Sequence, residues 1–202
     1  MTEFQIDPAK TILRYQGSFL RIETLEYYGA DGSINHRDVV RHPGAVVVIP
    51  YLCDAKSILL IEQYRIAPDM HLIELPAGKR DIVGEDPVDC ARRELEEELG
   101  LVAQSMVHLL SFYNTPGFCD EYTHLYLARG LSHGTHSPQG VEESVAQKRS
   151  LALIDFEDAV KSGKICDVKT LLGVYALRNY LEQSHGREIF TDSVSISDFT
   201  AI

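Results

Sequence analysis

The stretch from Asp86 to Gly100, DPVDCARRELEEELG, constrains this chain more than any other. Both of its ends carry helix signals. Asp86 stands at the N-cap position, Pro87 at the first helical position where its missing N–H costs nothing, and Gly100 where the chain must leave the helix. At roughly 100° per residue, Val88, Ala91, Leu95 and Leu99 form one apolar stripe that must face a core. Glu94 and Glu98 stack on a flank at roughly a right angle to that stripe, with Glu97 beside them. Like charges at this spacing repel by a few tenths of a kcal/mol per pair, and acids in the C-terminal half also oppose the helix dipole. Two readings fit the helix taken alone. One is a solvated face laced by the i,i+4 pairs Arg92–Glu96 and Arg93–Glu97. The other is a ligand cluster for magnesium, which prefers hard oxygen donors in octahedral geometry and commonly joins a few carboxylates to substrate phosphates.

Upstream, AVVVIPYL (45–52) and SILLIEQYR (57–65) read as buried strands, short, β-rich and separated by Cys53-Asp54-Ala55-Lys56. HLIEL (71–75) is a third, running into Pro76-Ala77-Gly78. The first 43 residues read as an extended lobe, TILRYQ, FLRIETLEYY and SINHRDVVRH, with Asp31-Gly32 as the hairpin signal between the last two. So small a sheet has little core of its own, and it is expected to pack on the main domain or on a second copy of the chain. Downstream, strand-like runs cover 107–114 and 122–128, and the segment 131–147 is polar, with adjacent acids at Glu142 and Glu143. A last strand is expected over 151–154, then a short helix from Phe156 to about Ser162 and a longer one from Asp167. Val168, Leu171, Leu172 and Tyr175 fit the apolar face of that longer helix. The tail after Ser184 is polar and expected to be loosely attached. The organisation expected is therefore a β lobe over 1–43, a main domain over 44–184 and a tail over 185–202.

The 202 residues suit one domain with a small appendage. A formal charge of −11 argues against a broad basic surface for long nucleic acids. It leaves room for small phosphorylated ligands, because a divalent cation can mediate between acidic protein and acidic substrate. The longest apolar run, Ala45 to Ile49, is far too short to span a bilayer. MTEFQIDPAK lacks the basic end and apolar stretch of a signal peptide, so a cytoplasmic protein is expected unless an export segment lies outside this sequence. Cys53, Cys90, Cys119 and Cys166 are too far apart for a zinc knuckle or redox motif, so reduced thiols are expected.

The stretch GKRDIVGEDPVDCARRELEEELGL resembles the Nudix box, G-x5-E-x7-R-E-U-x-E-E-x-G-U with U apolar. Glu85, Arg93, Glu94, Leu95, Glu97, Glu98, Gly100 and Leu101 match it in order, but six residues rather than five separate Gly78 from Glu85. The extra residue is expected to bulge in the loop and leave the helix register untouched. Some ADP-ribose hydrolases resemble this lengthened form. The resemblance implies the Nudix fold, a mixed β-sheet sandwiched between helices (α-β-α), here with an N-terminal antiparallel β lobe that in such relatives helps build a homodimer. It also implies hydrolysis of the diphosphate bond of a small nucleotide-sugar substrate, giving a nucleoside monophosphate and a sugar phosphate. ADP-ribose pyrophosphatase activity is the close alternative, and a non-catalytic nucleotide sensor the remote one.

Carried over residue by residue, the resemblance makes Glu94 and Glu98 ligands of Mg2+, with Mn2+ as its substitute. Glu97 becomes a further ligand or close support, and the backbone carbonyl of Ala77 completes the set. Arg93 orients Glu97, Glu85 supports the loop, and Glu142 and Glu143 are the two candidates for the catalytic base. IEQYRIAP (61–68) resembles a stretch whose arginine meets substrate phosphate, which points to Arg65; a salt bridge is the plainer alternative. SFYNTPGFCDEYTH (111–124) resembles the segment whose glutamate reaches the distal sugar, here Glu121, and Pro116 lies 16 residues after Gly100 as in that branch. Asp167 and Lys169, an Asp-x-Lys at the start of the last helix, resemble the nucleoside-diphosphate-sugar hydrolases and favour that substrate class.

Overall fold

The computed structural model describes residues 4–134, 146–184 and 190–202, and the chain divides into two compact units. The first comprises Met1–Ala45 and Phe112–Thr123; the second comprises Val46–Ser111 and His124–Ile202.

In the first unit the three expected runs form an antiparallel sheet of β1 (Gln5–Gln16), β2 (Arg21–Tyr28) and β3 (Ile34–Arg41), in that order. The hairpin between β2 and β3 closes at Asp31-Gly32. Gly32 takes φ 78, open to glycine because it has no Cβ, and the Asp31 carboxylate accepts the backbone N–H and hydroxyl of Ser33 at 2.9 and 2.6 Å. The segment from Phe112 to Thr123 belongs to this lobe and docks along β3. Val40 N–H donates to the Phe118 carbonyl at 2.7 Å, and Arg41 bridges Glu23 and Asp120 at 2.8 and 3.0 Å. Ile6, Ile12, Leu13 and Tyr15 on β1 remain exposed.

The second unit holds the main core. An eight-stranded sheet runs in the order β11 (Thr200–Ala201), β10 (Gln147–Ala152), β5 (Ser57–Arg65), β4 (Ala45–Leu52), β9 (Tyr122–His133), β8 (Leu101–Tyr113). Two short strands attach to it, β6 (Met70–Glu74) on β5 and β7 (Ala77–Lys79) on β4. Every residue of β4 is buried, as a strand covered on both faces must be. Side chains alternate between the faces. Val46 and Val48 meet α1 (Pro87–Leu99) through Ala91, Leu95 and Leu99. On the other face α3 (Val168–Ser184) approaches so closely that a Cβ on Gly173 would lie 2.5 Å from Leu75 and 3.6 Å from Ile49. A short α2 (Phe156–Lys161) precedes it. The result is the expected α-β-α sandwich. Leu95 and Leu99 are fully buried, and each such side chain contributes about 1.5–3 kcal/mol of apolar burial. No described helix is long and apolar enough to cross a membrane.

Three expectations are corrected. The inward face of α3 is not Val168, Leu171, Leu172 and Tyr175: Val168 and Tyr175 are 54 % and 48 % exposed, while Thr170, Val174 and Leu177 are fully buried. A threonine and a glycine sit on that face because they allow close approach to the sheet, and a count of apolar residues passes over both. The strand expected over 151–154 is instead β10, ending at Ala152, after which Leu153–Asp155 form a 3-10 turn. The described tail is not loose: Val194 and Phe199 enter the core, β11 pairs parallel to β10, and Asp192 accepts the N–H groups of Cys53 and Leu131, both at 2.9 Å.

Candidate active site

The helix α1 forms as its end signals require. Asp86 is extended at φ −66, ψ 143, Pro87 opens the helix, and Gly100 closes it in the left-handed region at φ 69, its N–H donating to the Glu96 carbonyl at 2.8 Å. Asp86 caps by position and not by its side chain, which makes no capping hydrogen bond. With the apolar stripe seated on the sheet, Glu94 and Glu98 are carried inward, and each is only 7 % exposed. What receives them is the backbone of β7. The Ala77 N–H donates to Glu98 Oε2 at 2.9 Å. Beside it Gly78 lies so close to Glu94 that an added Cβ would fall 1.8 Å from the carboxyl carbon and 2.1 Å from both oxygens. A glycine is needed here for room rather than for a special φ.

Arg93 neutralises the flank. It forks Glu85 at 3.0 and 3.1 Å and uses Nη1 on both Glu94, at 2.7 Å, and Glu97, at 2.9 Å. Charge-assisted bonds of this kind offset the repulsion among acids stacked on one helix. The Glu85 hydrogen bonds hold the Arg93 guanidinium far above its ordinary range, and Arg93 in turn holds the Glu85 carboxyl low. The extra residue between Gly78 and Glu85 is absorbed in a turn. Glu85 N–H donates to the Ile82 carbonyl at 3.2 Å, Gly84 takes φ 83, and Ile82 and Val83 are pushed into solvent. Behind the loop Cys90 is fully buried, and burial pushes its thiol up to about 12.

A second cluster lies four residues before Gly78 and includes an acid that sequence reasoning passed over. Glu74 is 1 % exposed at the end of β6. Arg65 forks it with Nε and Nη2, both at 2.8 Å, and Lys169 Nζ reaches it at 3.2 Å. Burial alone would raise the Glu74 carboxyl, but the Arg65 hydrogen bonds and the Lys169 charge outweigh it, so the carboxyl is lowered. Lys169 also donates to Asp167 Oδ1 at 2.6 Å. Asp167 caps α3 through Oδ2, which accepts the Thr170 N–H at 2.9 Å and hydroxyl at 2.8 Å. The cation in the first turn is thus held by two acids, which answers its conflict with the helix dipole. One signal for Glu74 was visible in the sequence: a lone acid in an apolar strand, next to Leu75-Pro76-Ala77-Gly78.

Of the other candidates, Glu121 stands in the first unit, where its carbonyl accepts the Asn114 N–H at 3.3 Å, and Glu142 and Glu143 lie outside the described residues. Among the described residues, no group of three or more His, Cys, Asp or Glu side chains forms a ready-made ion cage. Two buried carboxylates, Glu94 and Glu98, nevertheless fit the donor chemistry of a hard divalent cation, which usually takes one or two carboxylates and completes its shell with water and phosphate.

A family model described as NUDIX domain matches residues 41–169. The chain belongs to the Nudix family. The Nudix match runs from Arg41 to Lys169 and so spans both clusters. The chain is 36% identical over 175 residues to a protein of Bacillus methanolicus named methanol dehydrogenase activator, covering 87% of this chain and 94% of that one. It is 34% identical over 148 residues to an ADP-ribose pyrophosphatase of Bacillus subtilis (strain 168), covering 73% and 79%. To a GDP-mannose pyrophosphatase of Escherichia coli O1:K1 / APEC it is 30% identical over 164 residues, covering 77% and 83%. A solved structure described as an ADP compounds hydrolase superposes with a TM-score of 0.79 over 93% of this chain and 98% of that one; at 16% identity the likeness speaks for the fold alone.

Proposed function

We propose that this Nudix protein hydrolyses the diphosphate bond of nucleoside diphosphate sugars, releasing a nucleoside monophosphate and a sugar phosphate. The observation that carries the proposal is the seating of two buried glutamates, Glu94 and Glu98, against the Ala77–Gly78 backbone, with the Arg65 cation within electrostatic reach of Glu98. The names of the ADP-ribose and GDP-mannose pyrophosphatases among its relatives support the substrate class. In this reading Glu94, Glu98 and the Ala77 carbonyl hold Mg2+, or Mn2+ in its place, and Glu97 lends a further carboxylate. Once bound, the cation neutralises the diphosphate and lowers the pKa of the attacking water.

The chain's own residues do the rest. Arg93 holds Glu94 and Glu97 in orientation through Nη1. Arg65 has one edge of its guanidinium on Glu74 and presents the other to a phosphate oxygen. Lys169 has three donors, two spent on Asp167 and Glu74, and directs the third toward the distal sugar. Glu142 or Glu143 takes the proton from the attacking water. The exposed apolar residues of β1 serve a homodimer. Side-by-side rates on ADP-ribose, ADP-glucose and GDP-mannose test the substrate class. A marked preference for ADP-ribose would replace the sugar-nucleotide reading with the ADP-ribose pyrophosphatase reading.

The relative named as an activator of another enzyme supports a second reading, a nucleotide-binding regulator. Metal-dependent turnover that disappears in Glu98→Gln separates the two: a regulator would bind ADP-ribose and release no phosphomonoester.

A further inference from the structure

We infer that Glu74 is a positioning residue for substrate binding, holding Arg65 in the orientation that meets the diphosphate. The inference rests on the proposed function. A carboxylate this deeply buried is costly unless it is fully paired, so its partners are not incidental. Its pairing forms a closed circuit. Glu74 accepts from Lys169; Lys169 is fixed by Asp167; Asp167 is held by Thr170; and the Thr170 hydroxyl accepts the N–H of Leu75, the neighbour of Glu74, at 2.9 Å. That hydroxyl donates to Asp167 while accepting from Leu75, so its proton has one direction. The circuit leaves the Glu74 carboxylate no freedom to turn, and the two 2.8 Å bonds pass that constraint to the Arg65 guanidinium plane. Arg65 is 34 % exposed and uses Nε and Nη2 on Glu74. Its remaining Nη1 makes no hydrogen bond among the described residues and lies on a guanidinium within electrostatic reach of Glu98.

The backbone joins this circuit to the acid cluster. Within one short run Glu74 anchors Arg65, Leu75 anchors α3 through Thr170, the Pro76 carbonyl accepts the Val48 N–H at 2.9 Å, and Ala77 anchors Glu98. An arginine held by a bidentate partner is pre-organised, and pre-organisation raises affinity for ground state and transition state alike.

The test is a double-mutant cycle in KM for ADP-ribose over wild type, Glu74→Gln, Arg65→Ala and the double variant, with a magnesium titration of each. Glu74→Gln is expected to raise KM about tenfold with kcat within about threefold, the mark of lost uniform binding. The magnesium midpoint should stay where it is, and Glu74→Gln should add nothing in the Arg65→Ala background. Additive effects on KM, or a loss confined to kcat and the magnesium midpoint, would overturn the inference. If Glu74→Gln shows no cooperative melt, the near-isosteric Thr170→Val carries the test: a rise in KM supports the circuit and an unchanged KM refutes it. If wild type turns over none of the nucleotide sugars, the proposed function fails by itself. The cycle is then run on the Kd of ADP-ribose by calorimetry, where the same non-additivity is expected and additivity again overturns it.

Discussion

Gly78→Ala is the substitution in which this geometry commits itself most sharply. The new methyl would sit 1.8 Å from the Glu94 carboxyl carbon, whereas ordinary contact begins near 3.4 Å, so the carboxylate must retreat by roughly 1.6 Å (3.4 − 1.8). Gly78 is not among the residues with positive φ, so alanine meets no backbone strain and the whole effect falls on Glu94. Overpacking of this kind costs about 1–3 kcal/mol of stability. The catalytic consequence is larger in proportion, because a misplacement of about 1 Å in a reacting constellation costs about 100-fold. At 1.36 kcal/mol per decade that is about 2.7 kcal/mol of transition-state stabilisation. The assay is kcat/KM on the best substrate across a magnesium titration, with a thermal melt to establish that the variant is folded. The expected result is a cooperative melt at lowered Tm, a loss of about two decades in kcat/KM and a magnesium midpoint shifted upward. A folded Gly78→Ala enzyme within about threefold of wild type, with an unmoved midpoint, would refute the claim that Glu94 works from the position that Gly78 leaves open.

Three further outcomes follow from the same structure. Asp192→Ala strands the N–H groups of buried Leu131 and half-buried Cys53 and should cost about 1–3 kcal/mol in urea unfolding, with kcat untouched. Because the folded-state carboxyl of Glu74 lies below its unfolded value, the unfolded chain binds more protons as pH falls. The stability contributed by Glu74 is therefore present above the unfolded-state carboxyl value and lost as pH falls through the lower folded-state value, and urea midpoints from pH 6 to pH 3 should drop more steeply for wild type than for Glu74→Gln. Finally, burial that pushes the Cys90 thiol up to about 12 keeps it unreactive, so thiol labelling of the native protein should modify exposed Cys166 and reach Cys90 only on unfolding.

The parts legible in the sequence are those whose cause is local. The helix Pro87–Leu99, the strands Ala45–Leu52 and Ser57–Arg65 and the Asp31-Gly32 turn follow from periodicity, caps and turn chemistry, all of which act over a few residues. The box spacing likewise placed three glutamates on one flank of one helix. What each glutamate does there was decided only by tertiary structure. Glu98 takes an amide from β7, Glu94 fills the space a glycine leaves, and Glu97 and Glu85 share Arg93. Glu74 finds its cations on β5 and on the first turn of α3, brought beside it by strand pairing and by the close approach that Thr170 and Gly173 permit. Hydropathy sees neither a threonine nor a glycine as part of a core, and no local rule names a partner so distant along the chain; such pairings exist only once the sheet register and the helix packing have set the distances.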